Sequence, residues 1–96
     1  MKDEAAVKRA IVREVKRAGG WYTTPHQRGY SRPGVPDILI LHRGRLLAVE
    51  AKFNGNKPSE HQERELAAIE HAGGEAMVLD ETNWTLVKGW LADVDG

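Results

Sequence analysis

The sequence predicts an α/β fold in which helices pack on both sides of a central sheet, and two observations carry this prediction. Hydrophobic periodicities typical of helices and strands follow one another along the 96 residues in the order α-β-β-β-α-β-α. The second and third strands are apolar on both faces, as is typical of strands covered on each side. At this length we expect a single domain, residues 1–96.

Three segments show apolar residues at helical spacing. They cover residues 3–18, residues 59–72 and about residues 83–93. Gly-Gly pairs at positions 19–20 and 73–74 are expected to end the first two helices. Trp21, Trp84 and Trp90 are predicted core residues.

Four segments are predicted to be strands. They cover residues 21–24, 37–42, 45–52 and 75–79. Arg43-Gly44 separates the two central strands and is interpreted as a two-residue hairpin turn, with His42 as a turn residue. Residues 25–36, with three prolines and two glycines, and residues 53–58 are predicted to be loops.

The composition excludes several classes of protein. With 41% apolar and 29% charged residues, the chain is typical of folded proteins and not of disordered ones. It has neither the run of roughly 18 apolar residues that a membrane span needs nor the apolar segment of a signal peptide. The absence of cysteine excludes disulfides and thiolate metal sites. The simplest interpretation is a cytoplasmic protein, in a bacterium or a virus-infected host cell.

Charge is distributed unevenly along the chain, although the formal net charge is +0. Residues 1–57 hold 12 of the 14 Lys and Arg but only 5 of the 14 Asp and Glu, a net charge of +7. Residues 58–96 hold the other 2 Lys and Arg and the other 9 Asp and Glu, a net charge of −7. Such asymmetry can indicate a surface for a polyanion, or the two halves can interleave so that their charges mix in space.

The central hairpin carries charges at the end away from its turn. If Arg43-Gly44 is a two-residue turn, facing residue numbers add up to 87, and Asp37 faces Glu50. Lys52 follows Glu50 by two and points to the same face. Two facing carboxylates repel each other, so one must be protonated or a cation must lie between them; oxygen ligands suit Mg²⁺ or Mn²⁺. The alternative is an ordinary surface ion pair.

Two further polar residues interrupt the apolar stripes of their helices. Glu4 falls within the stripe of the first helix, and Gln62 within that of the second. Each has a structural explanation as well, since an acid in a first turn interacts favourably with the helix dipole and Ser59-x-x-Gln62 is a capping box. Together with the hairpin charges, they converge on one predicted pocket.

Across residues 3–80 or so, the chain resembles the VRR-NUC family, the virus-type replication-repair nucleases of the PD-(D/E)xK superfamily. The motifs that carry the resemblance are Glu4, Gly19-Gly20, Gly34-Val35-Pro36-Asp37, Glu50-Ala51-Lys52 and Ser59-Glu60-His61-Gln62. The resemblance is to members that consist of this domain alone. It implies a restriction-endonuclease-like core, α-β-β-β-α-β, with a mixed sheet, to which this chain adds a C-terminal helix.

The resemblance also implies roles for individual residues in cleavage of DNA phosphodiesters. Asp37, Glu50 and the Ala51 carbonyl would bind Mg²⁺ or Mn²⁺, and Glu4 would bind it directly or through water. Lys52 would orient the attacking water or stabilise the transition state, and Gln62 would support the site. Many relatives carry a larger residue at the position of Ala51, which contributes only its backbone.

The loop before Asp37 is predicted to contact DNA. Arg28 and Arg32 can bind phosphates, Tyr30 can stack on a base, and Lys57 in the following loop can extend the track. A solvated polar loop is the alternative. His26 is the histidine of interest, because it lies in this loop.

These observations favour a metal-dependent DNA endonuclease that acts on branched DNA such as four-way (Holliday) junctions. Alternatives are a catalytically silent DNA-binding module on the same fold, a flap nuclease or exonuclease, and a phosphodiesterase with another substrate. A homodimer is expected, because a symmetric dimer makes two symmetric cuts. The last helix could supply the contact surface with Trp84, Leu86, Trp90, Leu91 and Val94, or it could pack on the protein's own sheet.

Overall fold

The computed structural model describes residues 1–29 and 32–96. The elements in chain order are α1 (Glu4–Ala18), β1 (Trp21–Thr23), a 3₁₀ helix (Pro25–Arg28), β2 (Ile38–His42), β3 (Arg45–Ala51), α2 (Glu60–His71), β4 (Glu75–Leu79) and α3 (Leu86–Asp95). This order confirms the predicted α/β fold, with a 3₁₀ helix inside the predicted loop. No helix within these two ranges combines the length and apolar character needed to cross a lipid bilayer.

The four strands form one mixed sheet in the order β1-β2-β3-β4. β1, β2 and β3 are antiparallel, whereas β3 and β4 are parallel and are connected by α2, since a parallel pair needs such a crossover. Arg43 (φ 48°) and Gly44 (φ 84°) both have positive φ, as a two-residue hairpin turn of type I′ requires. The pairing of His42 with Arg45 and of Ile38 with Val49 confirms the predicted register.

One face of the sheet forms the hydrophobic core with α1 and α3. Ile38, Ile40, Leu47 and Val49 are fully buried on this face, as the alternation of the hairpin predicts. Val7, Ile11 and Val15 of α1 and Val87, Trp90 and Leu91 of α3 cover them. The large side chains of α3 therefore lie mostly in the protein's own core, although Leu86 is 55% exposed.

The opposite face of the sheet is only partly covered. α2 packs against β4 and β3 on this side. Trp21 and Leu41, a facing pair of β1 and β2, are 57% and 44% exposed. The prediction that the hairpin is covered on both faces is therefore wrong for β2, and the prediction that Trp21 is a core residue is wrong as well. The physical reason is that a single helix is too narrow to cover four strands.

Two other predictions change near the ends of elements. His42, predicted to be a turn residue, is the last residue of β2: it is 5% exposed, and its Nε2 lies 2.7 Å from Oδ1 of Asp95. α3 begins at Leu86 instead of near residue 83. The reason is a turn in which the Asp80 amide donates to Asn83 Oδ1 over 2.7 Å and the Thr82 amide donates to Asp80 Oδ1 over 2.8 Å.

Candidate active site

Asp37 and Glu50 lie at the open end of the hairpin, opposite the turn. Asp37 directly precedes β2, and Oδ2 of its carboxylate accepts a hydrogen bond of 2.9 Å from the Ala51 amide. The bond joins the start of β2 to the end of β3. On the other side, the Lys52 amide donates to the Leu79 carbonyl of β4 over 2.9 Å. The backbone of Glu50-Ala51-Lys52 is thus fixed by both neighbouring strands.

Glu50 is a buried acid with incomplete hydrogen bonding. It is only 1% exposed, and its Oε1 accepts a hydrogen bond of 3.1 Å from Gln62 Nε2. Its Oε2 is buried without a hydrogen-bond partner in the part of the chain that the structure describes. An unsatisfied buried polar group typically costs about 1–3 kcal/mol. This oxygen is therefore available to a proton or to a cation.

The surroundings of Glu50 raise the pKa of its carboxyl group to about 8. Burial is the largest cause, and the adjacent Asp37 acts next: its carboxylate can accept a hydrogen bond from Glu50 only when Glu50 is protonated, and its negative charge opposes a second anion. Lys52 lowers the pKa and Glu4 raises it, each through its charge. Asp37, Lys52 and Glu4, the other charged residues predicted for the site, thus each act on Glu50.

Gln62 reaches Glu50 because it belongs to the capping box of α2. Its Oε1 accepts a hydrogen bond of 2.8 Å from the Ser59 amide, and its own amide donates to Ser59 Oγ over 3.2 Å. The side-chain nitrogen then donates to Glu50. The structural and functional interpretations of Gln62 are therefore compatible, since one side chain makes both sets of contacts.

The site fits a small, hard cation through its oxygen atoms. Asp37 and Glu50 present carboxylates to the same end of the hairpin, and Oε2 of Glu50 has no hydrogen-bond partner among the described residues. Among residues 1–29 and 32–96 there is no group of three or more His, Asp or Glu side chains positioned to hold a metal ion. Glu4, half-buried at the start of α1, acts on Glu50 through its charge without completing such a group.

The role of Gly34 is not evident from the sequence. Gly34 has a φ of 84°, and a Cβ at this position would collide with the carbonyl of His61 in the first turn of α2. His26 Nε2 lies 2.8 Å from the Val35 carbonyl oxygen and ties the loop across its base. The loop before Asp37 therefore packs directly on the helix that carries Gln62. The Pro33-Gly34 pair was a signal for a turn, but not for this packing.

The predicted DNA-binding residues lie in different environments. Arg32 pairs with Glu65 of α2, with its Nη2 2.6 Å from Oε1. Arg28 and Lys57 are exposed, and Arg28 lines a groove beside α1. Tyr30 lies outside the described residues. Of the predicted set, Arg32 already has an acidic partner within the protein.

Comparisons with known proteins identify the family. No family model matches the sequence. Over 81 residues, the chain is 36% identical to "Putative nuclease p44" of Acyrthosiphon pisum secondary endosymbiont phage 1, covering 80% of this chain and 82% of that protein. A solved structure described as "VRR_NUC domain" matches with a TM-score of 0.70 and 26% identity, over 93% of this chain and 94% of the other. This chain belongs to the VRR-NUC family of nucleases.

Proposed function

We propose that the protein is a Mg²⁺- or Mn²⁺-dependent DNA endonuclease whose reaction centre is the open end of the β2–β3 hairpin. The observation that carries this proposal is Glu50, a buried acid beside Asp37 with an oxygen that no described protein group satisfies. Most buried polar atoms in folded proteins have a hydrogen-bond partner, so this oxygen calls for a proton, a water molecule or a cation. Membership of a nuclease family supports the same conclusion.

The residues that would hold the cation are Asp37, Glu50 and the Ala51 carbonyl, with Glu4 contributing directly or through water. When bound, a divalent cation supplies Lewis acidity and offsets the negative charge that develops on the phosphate. Asp37 is held by the Ala51 amide and Glu50 by Gln62, so both carboxylates are oriented before any ligand arrives. Such preorganisation is what an electrostatic reaction centre requires.

Lys52 is proposed to orient the attacking water or to stabilise the transition state. It follows Glu50 by two residues on β3, so its side chain leaves the strand on the same face. Its charge lowers the pKa of Glu50 and thus reaches the carboxylate site. As a phosphodiester is attacked, negative charge builds up on its oxygens, and a fixed ammonium group lowers the energy of that state.

We propose branched DNA, such as a four-way junction, as the substrate, and a homodimer as the acting form. A two-fold dimer presents two reaction centres in the symmetry that two paired cuts need. Because Trp90 and Leu91 lie in the protein's own core, α3 is not the best contact surface. The exposed Trp21 and Leu41 on the uncovered part of the sheet are the better candidates.

The decisive experiment is a cleavage assay on circular duplex, linear duplex, flapped and four-way DNA, with and without Mg²⁺ or Mn²⁺. We expect metal-dependent nicking of circular DNA and faster cleavage of the four-way junction, with none by the Asp37→Asn variant. Cleavage restricted to free ends or flaps would indicate an exonuclease or a flap nuclease. Binding without cleavage would indicate a silent DNA-binding module. Sedimentation at micromolar concentration tests the dimer, and a monomer with DNA bound would contradict it.

A further inference from the structure

A second polar surface lies beside α1, outside the reaction centre. It is a groove of about 940 Å³ between α1 on one side and β1 with the 3₁₀ helix on the other, and we call it the α1 groove. Of the described residues that line the groove, five are cationic and none is acidic. The five are Lys8, Arg9, Arg13, Lys16 and Arg28.

The three arginines of the groove differ from the other five arginines of the protein. Five arginines outside the groove form ion pairs, for example Arg17 with Glu14 at 3.1 Å and Arg64 with Glu60 at 3.5 Å. The other three are Arg32, Arg43 and Arg45. Within residues 1–29 and 32–96, no groove cation forms an ion pair under 4.0 Å. The positive charge of the groove is therefore left for a partner.

The spacing of the groove cations suits a polyanion with regular charges. Arg9, Arg13 and Lys16 are three or four residues apart and so are neighbours along one face of the helix. From Arg9 to Lys16 the helix rises about 10 Å. One strand of duplex DNA carries a phosphate about every 3.4 Å along its axis, so this run corresponds to about three phosphates.

The opposite wall supplies neutral polar groups and an aromatic ring. Thr24 Oγ1 donates to Gln27 Oε1 over 2.9 Å, a bond that does not use the NH₂ donors of the same amide. The Lys16 ammonium lies 5.8 Å from the centre of the Tyr22 ring and is held over it by a cation–π contact. The groove thus combines charged and neutral donors, both of which bind phosphate oxygens.

We propose that the α1 groove binds the phosphate backbone of a duplex DNA arm that extends beyond the reaction centre. The inference rests on the proposed function for its choice of DNA. The groove begins at Ala5, the residue after Glu4, and continues along α1 away from the reaction centre. From Glu4 to Lys16 the helix rises about 18 Å. An arm therefore needs about five base pairs to occupy the whole groove.

The test compares two double variants that each remove two exposed arginines. The groove variant is Arg9→Gln with Arg13→Gln, and the control is Arg17→Gln with Arg64→Gln, whose arginines pair with acids outside the groove. Affinity for a labelled 30-base-pair duplex is measured in EDTA over a range of salt concentrations. We expect the groove variant to lower the slope of log affinity against log salt by about 2, at about 0.9 per lost phosphate contact, and to weaken binding at low salt. The control should keep nearly the wild-type slope.

A wild-type slope for the groove variant, or an equal loss in the control, would overturn the inference. Because EDTA prevents cleavage, this result does not depend on whether the protein is a nuclease. A wild-type protein that cuts no DNA with either metal would contradict the proposed function alone. In a cleaving protein, the groove variant should raise KM most for arms of about four base pairs or more, which extend past both Arg9 and Arg13, and progressively less as the arm is shortened.

Discussion

The two ends of the β2–β3 hairpin carry charge in opposite ways. At the turn, Arg43 lies 2.8 Å from Asp95, and Arg45 bonds to Glu75 and Asp93. At the open end, two acids lie together, and the more buried of them has an oxygen without a described protein partner. The charged groups at the turn form ion pairs within the protein, whereas an acid at the open end keeps an oxygen without a partner among the described residues.

The two ends also shift the pKa of a glutamate in opposite directions. Hydrogen bonds from Arg45 lower the pKa of Glu75, which is an ordinary consequence of pairing. Burial and the neighbouring Asp37 raise the pKa of Glu50 to about 8. Paired charge at the turn therefore stabilises the fold, whereas unpaired charge at the open end makes the folded protein less stable in the absence of a ligand. A site of the second kind gains free energy when a cation binds.

The largest expected effect comes from removing one charge at the open end. Asp37→Asn and Glu50→Gln keep the shape of each side chain but remove an anionic ligand for the cation. Loss of several kcal/mol of transition-state stabilisation corresponds to roughly a thousandfold or greater fall in kcat/KM. Cleavage with Mg²⁺ measures the effect, and wild-type activity in either variant would show that the site assignment is wrong.

Lys52→Ala should lower turnover by roughly a hundredfold, because one fixed donor to the transition state is lost. Affinity for Mn²⁺, measured by calorimetry, should stay close to that of the wild type or rise slightly. A large loss of Mn²⁺ affinity would instead make Lys52 a structural partner of the carboxylates.

Gln62→Ala should lower activity by about 10- to 100-fold, because Glu50 loses the group that orients it. The variant also loses the capping box, so Ser59→Ala serves as the control that removes the cap hydroxyl alone. Both changes should cost about 1 kcal/mol of stability through the cap, but only the first should lower activity at a temperature where both are folded. Equal loss of activity in Gln62→Ala and Ser59→Ala would show that Gln62 acts only as part of the helix cap.

Glu50→Gln should change how stability depends on pH in EDTA. With a pKa of about 8 in the folded protein and 4.5 as the usual value, Glu50 releases its proton on unfolding between those pH values. The wild-type free energy of unfolding should therefore fall through this window as pH rises, by at most about 1.4 kcal/mol per pH unit, and then level off. The variant should lack this fall and be the more stable protein above pH 8.

Denaturant titrations at several pH values measure this difference. Saturating Mn²⁺ at pH 8 should raise the Tm of the wild type more than that of Glu50→Gln, because the cation binds only the folded site. Parallel stability curves for the two proteins would contradict the assigned environment of Glu50.

The smallest effect is expected at the turn. Arg43→Ala removes an exposed contact with Asp95 and should cost roughly 0.2–1 kcal/mol, less in high salt, with unchanged cleavage. Thermal melts at two salt concentrations measure it. A loss of activity comparable to that of Gln62→Ala would remove the distinction between the two ends of the hairpin.

The order of the elements and the register of the hairpin follow from the sequence alone. Asp37, Glu50 and Lys52 could be assigned to one end because strand periodicity is two and a two-residue turn leaves no freedom in the pairing. The motifs of the sequence also point to the VRR-NUC family. These features are local, or follow from one short connection, so neighbouring residues encode them fully.

The pairing of distant charges and the coverage of each surface depend on how whole helices and strands pack together. The acids of the C-terminal half pair with Arg32, Arg43 and Arg45, so the charge asymmetry of the sequence is partly neutralised, while the cations of the α1 groove have no ion-pair partner in the part of the chain that the structure describes. Trp21 is exposed because a single helix is too narrow to cover four strands. The spacing of charged residues along the sequence does not identify their partners. The partners are set by how whole helices and strands pack.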